Sequence, residues 1–270
     1  MLKDITLGQY YPAQSVIHKL DPRVKLFGTI LYIISLFVAK NPVVYILAAA
    51  FLFICIGVSK VPLKFVIRGL RTIFILLILS ASFNLFLTPG KELVHLGPIK
   101  ITEEGIVQAV FMAIRLILLI MGSSVMTLTT TPNNLTDGIE KALGFLKVFR
   151  IPVHEIAMMM SIALRFIPIL IEETNKIIKA QTARGADLES GNFFKRIKAM
   201  VPILVPLFVS AIRRANELAN AMEARCYMGG DKRTRMKPLK YRGRDAVAYV
   251  VLSLYFIAMI AVKLVWEMYL

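Results

Sequence analysis

Residues 156–185 read IAMMMSIALRFIPILIEETNKIIKAQTARG, and residues 199–226 read AMVPILVPLFVSAIRRANELANAMEARC. Each stretch begins apolar all round, becomes amphipathic, and ends on Ala-Arg followed by a small residue. The apolar parts, 156–171 and 199–212, are long enough to be mistaken for membrane spans. If both crossed, Lys176, Lys179, Arg184, Lys195, Arg196 and Lys198 would be left outside, against the tendency of basic residues to stay on the cytoplasmic side. The reading that respects charge is a pair of long helices at the inner membrane surface that do not cross. In the first, Phe166, Ile167, Leu170, Ile171, Ile177 and Ile178 keep a helical stripe that Thr174 interrupts. Pro168, Pro202 and Pro206 predict bends, and 187–192, rich in turn formers, predicts the connection. A shift of 41 residues superposes Ala183-Arg184-Gly185 on Ala224-Arg225-Cys226, a weak internal repeat of one supersecondary unit.

Outward from this pair the chain is membrane-like. Of its 270 residues 57% are hydrophobic, and the mean hydropathy of +0.68 is too high for an ordinary soluble domain. Residues 1–20 are mixed polar and lack the apolar core of a signal peptide. Spans are expected at 24–39, 42–59, 72–88, 105–130 and 246–265, the first of them short. Lys60, Lys64, Arg68 and Arg71 space a short amphipathic helix near 60–71 around Val61, Leu63, Phe65, Val66 and Ile67. Beyond Pro89-Gly90, the run Leu93 to Leu96, Gly97-Pro98 and Ile99 to Ile101 predict a small β-hairpin outside the membrane. Of the 33 Lys and Arg residues, 20 lie between Thr131 and Arg244. With the four in the segment up to Lys25 and the four of 60–71, this puts the N-terminus inside and the C-terminus outside. The formal charge of +16 is thus a topology signal first and a source of lipid-headgroup contact second; nucleic acid is not the expected partner.

The expected architecture is an all-α integral membrane protein. It has about five transmembrane helices, two long cytoplasm-facing coupling helices and one short one. Its parts are 1–130, with four spans and the short helix; 131–243, the coupling-helix region; and 244–270, the last span.

Arg184 and Arg225 are the leading site candidates. An arginine at a helix C-terminus complements the helix dipole, worth under about 1 kcal/mol when exposed. The small neighbours Ala183, Gly185, Ala224 and Cys226 add a second reading. They leave a planar guanidinium free to enter a groove and bind a carboxylate bidentately, and two such arginines suit two similar partner subunits. Met158, Met159, Met160 and Met200, with Ile167, Leu170, Leu204 and Leu207, form either plain lipid or core packing or an adaptable apolar platform. Arg115 falls inside the fourth span with no acidic residue at membrane depth to meet it, which predicts a structural role or a shifted boundary. Glu155 is explained by a helix N-terminus, and His154 has no ligand-spaced companion. The cysteines Cys55 and Cys226 lack disulfide or metal spacing. No G-x-x-x-x-G-K-[ST] loop, His-Glu-x-x-His or paired nucleophile and base occurs, so neither catalysis nor a bound metal is expected.

The paired tripeptides at 183–185 and 224–226 resemble the two X-Arg-X motifs of the transmembrane T component of energy-coupling factor (ECF) transporters. Leu20-Asp21-Pro22-Arg23-Val24-Lys25-Leu26 resembles that family's lead-in to the first span, and the similarity covers nearly the whole chain. The departure is Cys226, where a glycine or serine is the commoner choice. The resemblance implies a scaffold in the cell membrane that joins two ABC-type ATPases to a small substrate-binding membrane (S) subunit. ATP and Mg²⁺ would be bound by the ATPases, none by this chain, and the cargo would be a vitamin or metal ion. Arg184 and Arg225 would dock in the ATPases, whose closure would draw the arginine-tipped ends together and reorient the S subunit on the apolar platform. Two other readings compete. A membrane anchor, or a membrane enzyme subunit, would bind anionic lipid through its basic helices. A solitary secondary transporter would need intramembrane acidic residues that the sequence lacks.

Overall fold

The computed structural model describes residues 10–38, 41–96, 99–186, 193–229 and 238–269. In chain order the elements are α1 (Pro22–Val38), α2 (Pro42–Ser59), α3 (Leu63–Leu87), β1 (Glu92–Leu96), β2 (Ile99–Thr102), α4 (Glu103–Thr129), α5 (Pro132–Ala142), a 3-10 helix (Leu143–Phe149), α6 (Val153–Ala183), α7 (Phe193–Glu223) and α8 (Gly243–Tyr269). The protein is an all-α membrane protein, and among the described residues its one β feature is the expected hairpin. β1 and β2 pair antiparallel with Leu96 opposite Ile99. The Gly97-Pro98 turn and the 187–192 connection lie outside the described residues.

Two compact units are formed, Gly8–Ala142 with Leu239–Leu270, and Leu143–Pro238. In the first, helix starts are written in short polar motifs. Asp21 is the N-cap of α1: its Oδ1 accepts from the Arg23 N–H at 2.9 Å, and Pro22 occupies the first helical position, where a missing N–H is harmless. Thr102 caps α4 by accepting from the Gly105 N–H at 3.1 Å, with Glu103 and Glu104 favourably placed in the first turn.

The helices between these caps are apolar on both sides. Along α1, Val24, Tyr32 and Leu36 are buried while Phe27, Ile30, Ile34 and Phe37 are exposed. A helix that is apolar on its exposed face as well as its buried one belongs in lipid. The core gathers Tyr32 and Leu36 of α1, Val44, Ala48 and Leu52 of α2, Met121 and Val125 of α4 and Tyr255 of α8. Its few polar groups are satisfied locally: Ser35 Oγ and Tyr255 Oη are 2.8 Å apart, and Ser59 Oγ donates to the Ile56 carbonyl.

The expected short helix and the third span are one helix, α3. Its segments Leu63–Arg71 and Ile73–Leu87 are bent by 61°, so the basic part and the apolar part still point in different directions. By length and composition α2, α4, α6 and α8 could cross a membrane, and bent α3 could be a fifth span. α1, at 17 residues, is just shorter. α6 qualifies because its first half is so apolar. It is nevertheless paired antiparallel with α7, as described below, so a crossing by α6 would need a return through α7. That helix carries Lys195, Arg196, Lys198, Arg213 and Arg214 and is not apolar enough to cross.

Candidate functional site

α6 and α7 are each 31 residues long and continue through their internal prolines, Pro168 in one and Pro202 and Pro206 in the other. Glu173 holds them together. Its Oε2 accepts from Arg214 Nη2 at 2.9 Å and Nε at 3.1 Å, and its Oε1 accepts from Ser210 Oγ. Gln181 Nε2 donates to the Pro202 carbonyl at 3.3 Å. Moving up α6 from residue 173 to 181 therefore means moving down α7 from 214 to 202, an antiparallel register. The C-terminal ends of the two helices point opposite ways. Extending that register at 1.5 Å per residue puts Arg184 and Arg225 roughly 35 Å apart along straight axes.

Both arginines end their helix in the same way. The Gly185 N–H bonds the Thr182 carbonyl at 3.0 Å and the Ala186 N–H bonds that of Gln181 at 3.0 Å. Forty-one residues on, the Cys226 N–H bonds the Glu223 carbonyl at 2.8 Å and the Tyr227 N–H bonds that of Met222 at 3.1 Å. Each set is a Schellman cap with an arginine as the last half-helical residue. Such a cap needs a left-handed residue next, and Gly185 at φ +86° and Cys226 at φ +56° supply it. The small residue after each arginine thus has a backbone reason beyond the clearing of side-chain bulk. Ala183, Arg184, Gly185, Ala224, Arg225 and Cys226 are all exposed. A glycine is comfortable at such a position and a Cβ is not. Gly185→Val is therefore expected to destabilise the cap by about 1–2 kcal/mol without touching a charge. Faster amide hydrogen exchange at residues 182–186 is the measurement, and unchanged protection there would contradict the cap.

The apolar candidates divide in two. Leu170, Leu204 and Leu207 come together, with Val205 and Phe208, around an apolar cleft of about 490 Å³ between α6 and α7. Met159, Met160 and Met200 are exposed, and Met158 and Ile167 are half-buried, outside that cleft. Phe208, 67% exposed, was not singled out by sequence because it sits in an unbroken apolar run. Among the described residues no three His, Cys, Asp or Glu side chains lie close enough to hold a metal ion.

Comparison with known proteins gives a consistent picture. Residues 13–236 match the family model described as cobalt transport protein, CbiQ. The chain is 55% identical over 250 residues to the energy-coupling factor transporter transmembrane protein EcfT of Clostridium kluyveri, covering 92% of this chain and 93% of that one. It is 48% identical to EcfT of Thermosediminibacter oceani over 98% of this chain and 100% of the relative. With EcfT of Bacillus subtilis the identity is 44%, over 93% and 96%. The chain belongs to the ECF transmembrane-protein family.

Two features of this ECF family member escaped the sequence reading. The lead-in motif at 20–26 is half of a clasp between the starts of α1 and α8. Asp245, 2% exposed, accepts the Asp21 N–H on Oδ1 and the Arg242 N–H on Oδ2, both at 2.8 Å. The second bond is the backward half of a capping box for α8. Asp21 in turn holds Arg23 through two side-chain bonds of 3.0 Å, and the guanidinium lies 3.8 Å from the centre of the Tyr241 ring. Burial pushes the Asp21 carboxyl up, but its bonds from Arg23 outweigh this and leave it below the usual carboxylate range. The second feature is the neighbour of Arg115. Arg115 Nε donates to Tyr45 Oη at 2.9 Å, and the guanidinium stands 5.7 Å from the Phe37 ring centre. A phenol and an aromatic face are thus among the neighbours of this cation.

Proposed function

We propose that the chain is the scaffold of an ECF-type ABC importer in the cell membrane. It couples ATP hydrolysis by two cytoplasmic ATPase subunits to reorientation of a small substrate-binding membrane subunit. The observation that carries this reading is the pair of identically capped, exposed arginines at opposite ends of one antiparallel helix pair. A single partner would need only one such tip, and a lipid surface would need neither the caps nor the repeat. In this reading Arg184 and Arg225 each enter a groove on one ATPase, flanked by Ala183 and Gly185 or by Ala224 and Cys226. ATP and Mg²⁺ belong to the ATPases, and this chain supplies no cofactor ligand. The apolar surface of α6 and α7, from Met158, Met159 and Met160 through Ile167 and Leu170 to Met200, Leu204 and Leu207, carries the substrate-binding subunit. Exposed thioethers and leucines suit a face that must slide on its partner. The N-terminus and the α6–α7 pair face the cytoplasm and the C-terminus faces outside, as the basic residues require. The cargo is a vitamin or metal ion, selected by the substrate-binding subunit.

The test is the composition of the complex. Tagged chain, solubilised in mild detergent from its native membrane, is expected to bring down two ATPase copies and one small membrane protein, counted by native mass spectrometry. A chain that emerges alone, or with lipid only, would overturn the assignment.

A further inference from the structure

A cavity of about 350 Å³ opens in the first unit, at the end where α1 and α8 begin and α2 and α4 finish. Its walls are almost wholly apolar. Val24, Tyr32 and Leu52 form a buried floor, whereas Ile54, Val58 and Val251 are exposed on its rim. Two cations line it, Lys25 and Arg244, close to the starts of their helices. Lys25 Nζ spends two of its three protons on the carbonyls of His18 at 3.2 Å and Thr129 at 2.8 Å. Arg244 Nε is buried and has no hydrogen-bond partner, which is costly for a charged donor. Neither carboxylate close by serves it. Asp21 is engaged by Arg23, and Asp245 by two backbone N–H groups.

The complement of this site is an anion attached to a hydrocarbon tail. From Lys25 to Tyr32 the wall runs along two turns of α1, roughly 10 Å, within the roughly 15 Å of one leaflet's hydrocarbon. The volume lies in the range of small-molecule sites, about 300–1,000 Å³. A free anion would leave the apolar part of the cavity empty, and water has too few polar partners there. We propose that the cavity holds one acyl chain of an anionic phospholipid, with the lipid phosphate on Arg244 beside Lys25. The lipid then acts as a packing element between α1, α2 and α8, drawn from the leaflet on the N-terminal side.

The experiment uses the full chain, with the subunits that co-purify, in detergent with equal amounts of phosphatidylglycerol and phosphatidylcholine. Native mass spectrometry reads the lipid retained. Wild type is expected to keep one phosphatidylglycerol after phosphatidylcholine has been stripped. Arg244→Gln should lower that occupancy by about tenfold or more, because a charge-assisted bond is lost. Ala248→Phe, which fills the cavity from α8 and keeps both charges, should abolish it. Arg150→Gln, at an exposed position in the other unit, should change nothing. Equal retention of the two lipids by wild type overturns the proposal. So does retention unchanged by Arg244→Gln or by Ala248→Phe, or a loss with Arg150→Gln as large as that with Arg244→Gln.

Discussion

Reversing both tip charges, Arg184→Glu with Arg225→Glu, is expected to strip the ATPases from the purified complex while the chain still inserts and keeps its membrane partner. The caps make this a clean experiment, because they use backbone N–H groups and leave both guanidinium groups uncommitted. Folding should lose only the helix-dipole contribution, under about 1 kcal/mol at each exposed end. Docking should lose far more. Truncating one partner of a desolvated charge pair costs about 2–5 kcal/mol, and reversal adds repulsion. At about 1.4 kcal/mol per tenfold, two sites together weaken attachment by about a thousandfold or more. Each single reversal should leave one ATPase tethered and give an intermediate yield. Lys176→Glu with Lys179→Glu removes the same charge from exposed positions on α6 and is expected to leave attachment intact. Co-elution of ATPases, quantified by mass spectrometry, is the measurement. Full retention in the double Arg variant would end the docking model.

The second large effect is expected at Asp245. Asp245→Ala leaves the buried Asp21 N–H without an acceptor and releases the Arg242 N–H, at an exposed residue, to water, a loss of about 1–3 kcal/mol. The predicted result is a lower midpoint of thermal unfolding in detergent and loosened starts of both α1 and α8, seen as faster amide exchange at 21–25 and 243–247. An unchanged midpoint would show that the clasp contributes little. Asp245→Asn keeps one strong acceptor and should fall between. Acid acts on the same network through Asp21. Because its folded carboxyl sits below the ordinary range, its stabilising bonds are fully present above that range and are lost only as pH falls through the lower, folded value. Near neutral pH the clasp is closed.

Hydropathy exposes α2, α4 and α8 directly, since lipid and protein core select the same residues. For the same reason it hides which face is which: Leu36 and Phe37 are adjacent and equally apolar, yet one is fully buried and the other exposed. The division of α3 illustrates the opposite error. Charge separates 60–71 from 72–88, but no proline or glycine falls at the join and the helix continues through a bend. Gly185 advertises its cap; Cys226 conceals an identical one, because a cysteine gives no hint of a left-handed backbone. The Asp21–Asp245 bond spans 224 residues and carries no local signature at all. What could be read were the two arginines themselves, through their repetition.

That repetition reaches the point where α6 and α7 are fastened. Glu173 and Arg214 are 41 residues apart, the same interval that separates Arg184 from Arg225. The ion pair therefore lies between equivalent positions of the two half-repeats, and each arginine sits eleven residues beyond its own side of it. In mechanical terms the ion pair is the midpoint of a beam with two equal arms, each about 16 Å long, braced a second time by the Gln181–Pro202 bond. Equal and opposite pulls on the two tips would then act over equal lever lengths about Glu173, so that two moving ATPases would load the pair evenly.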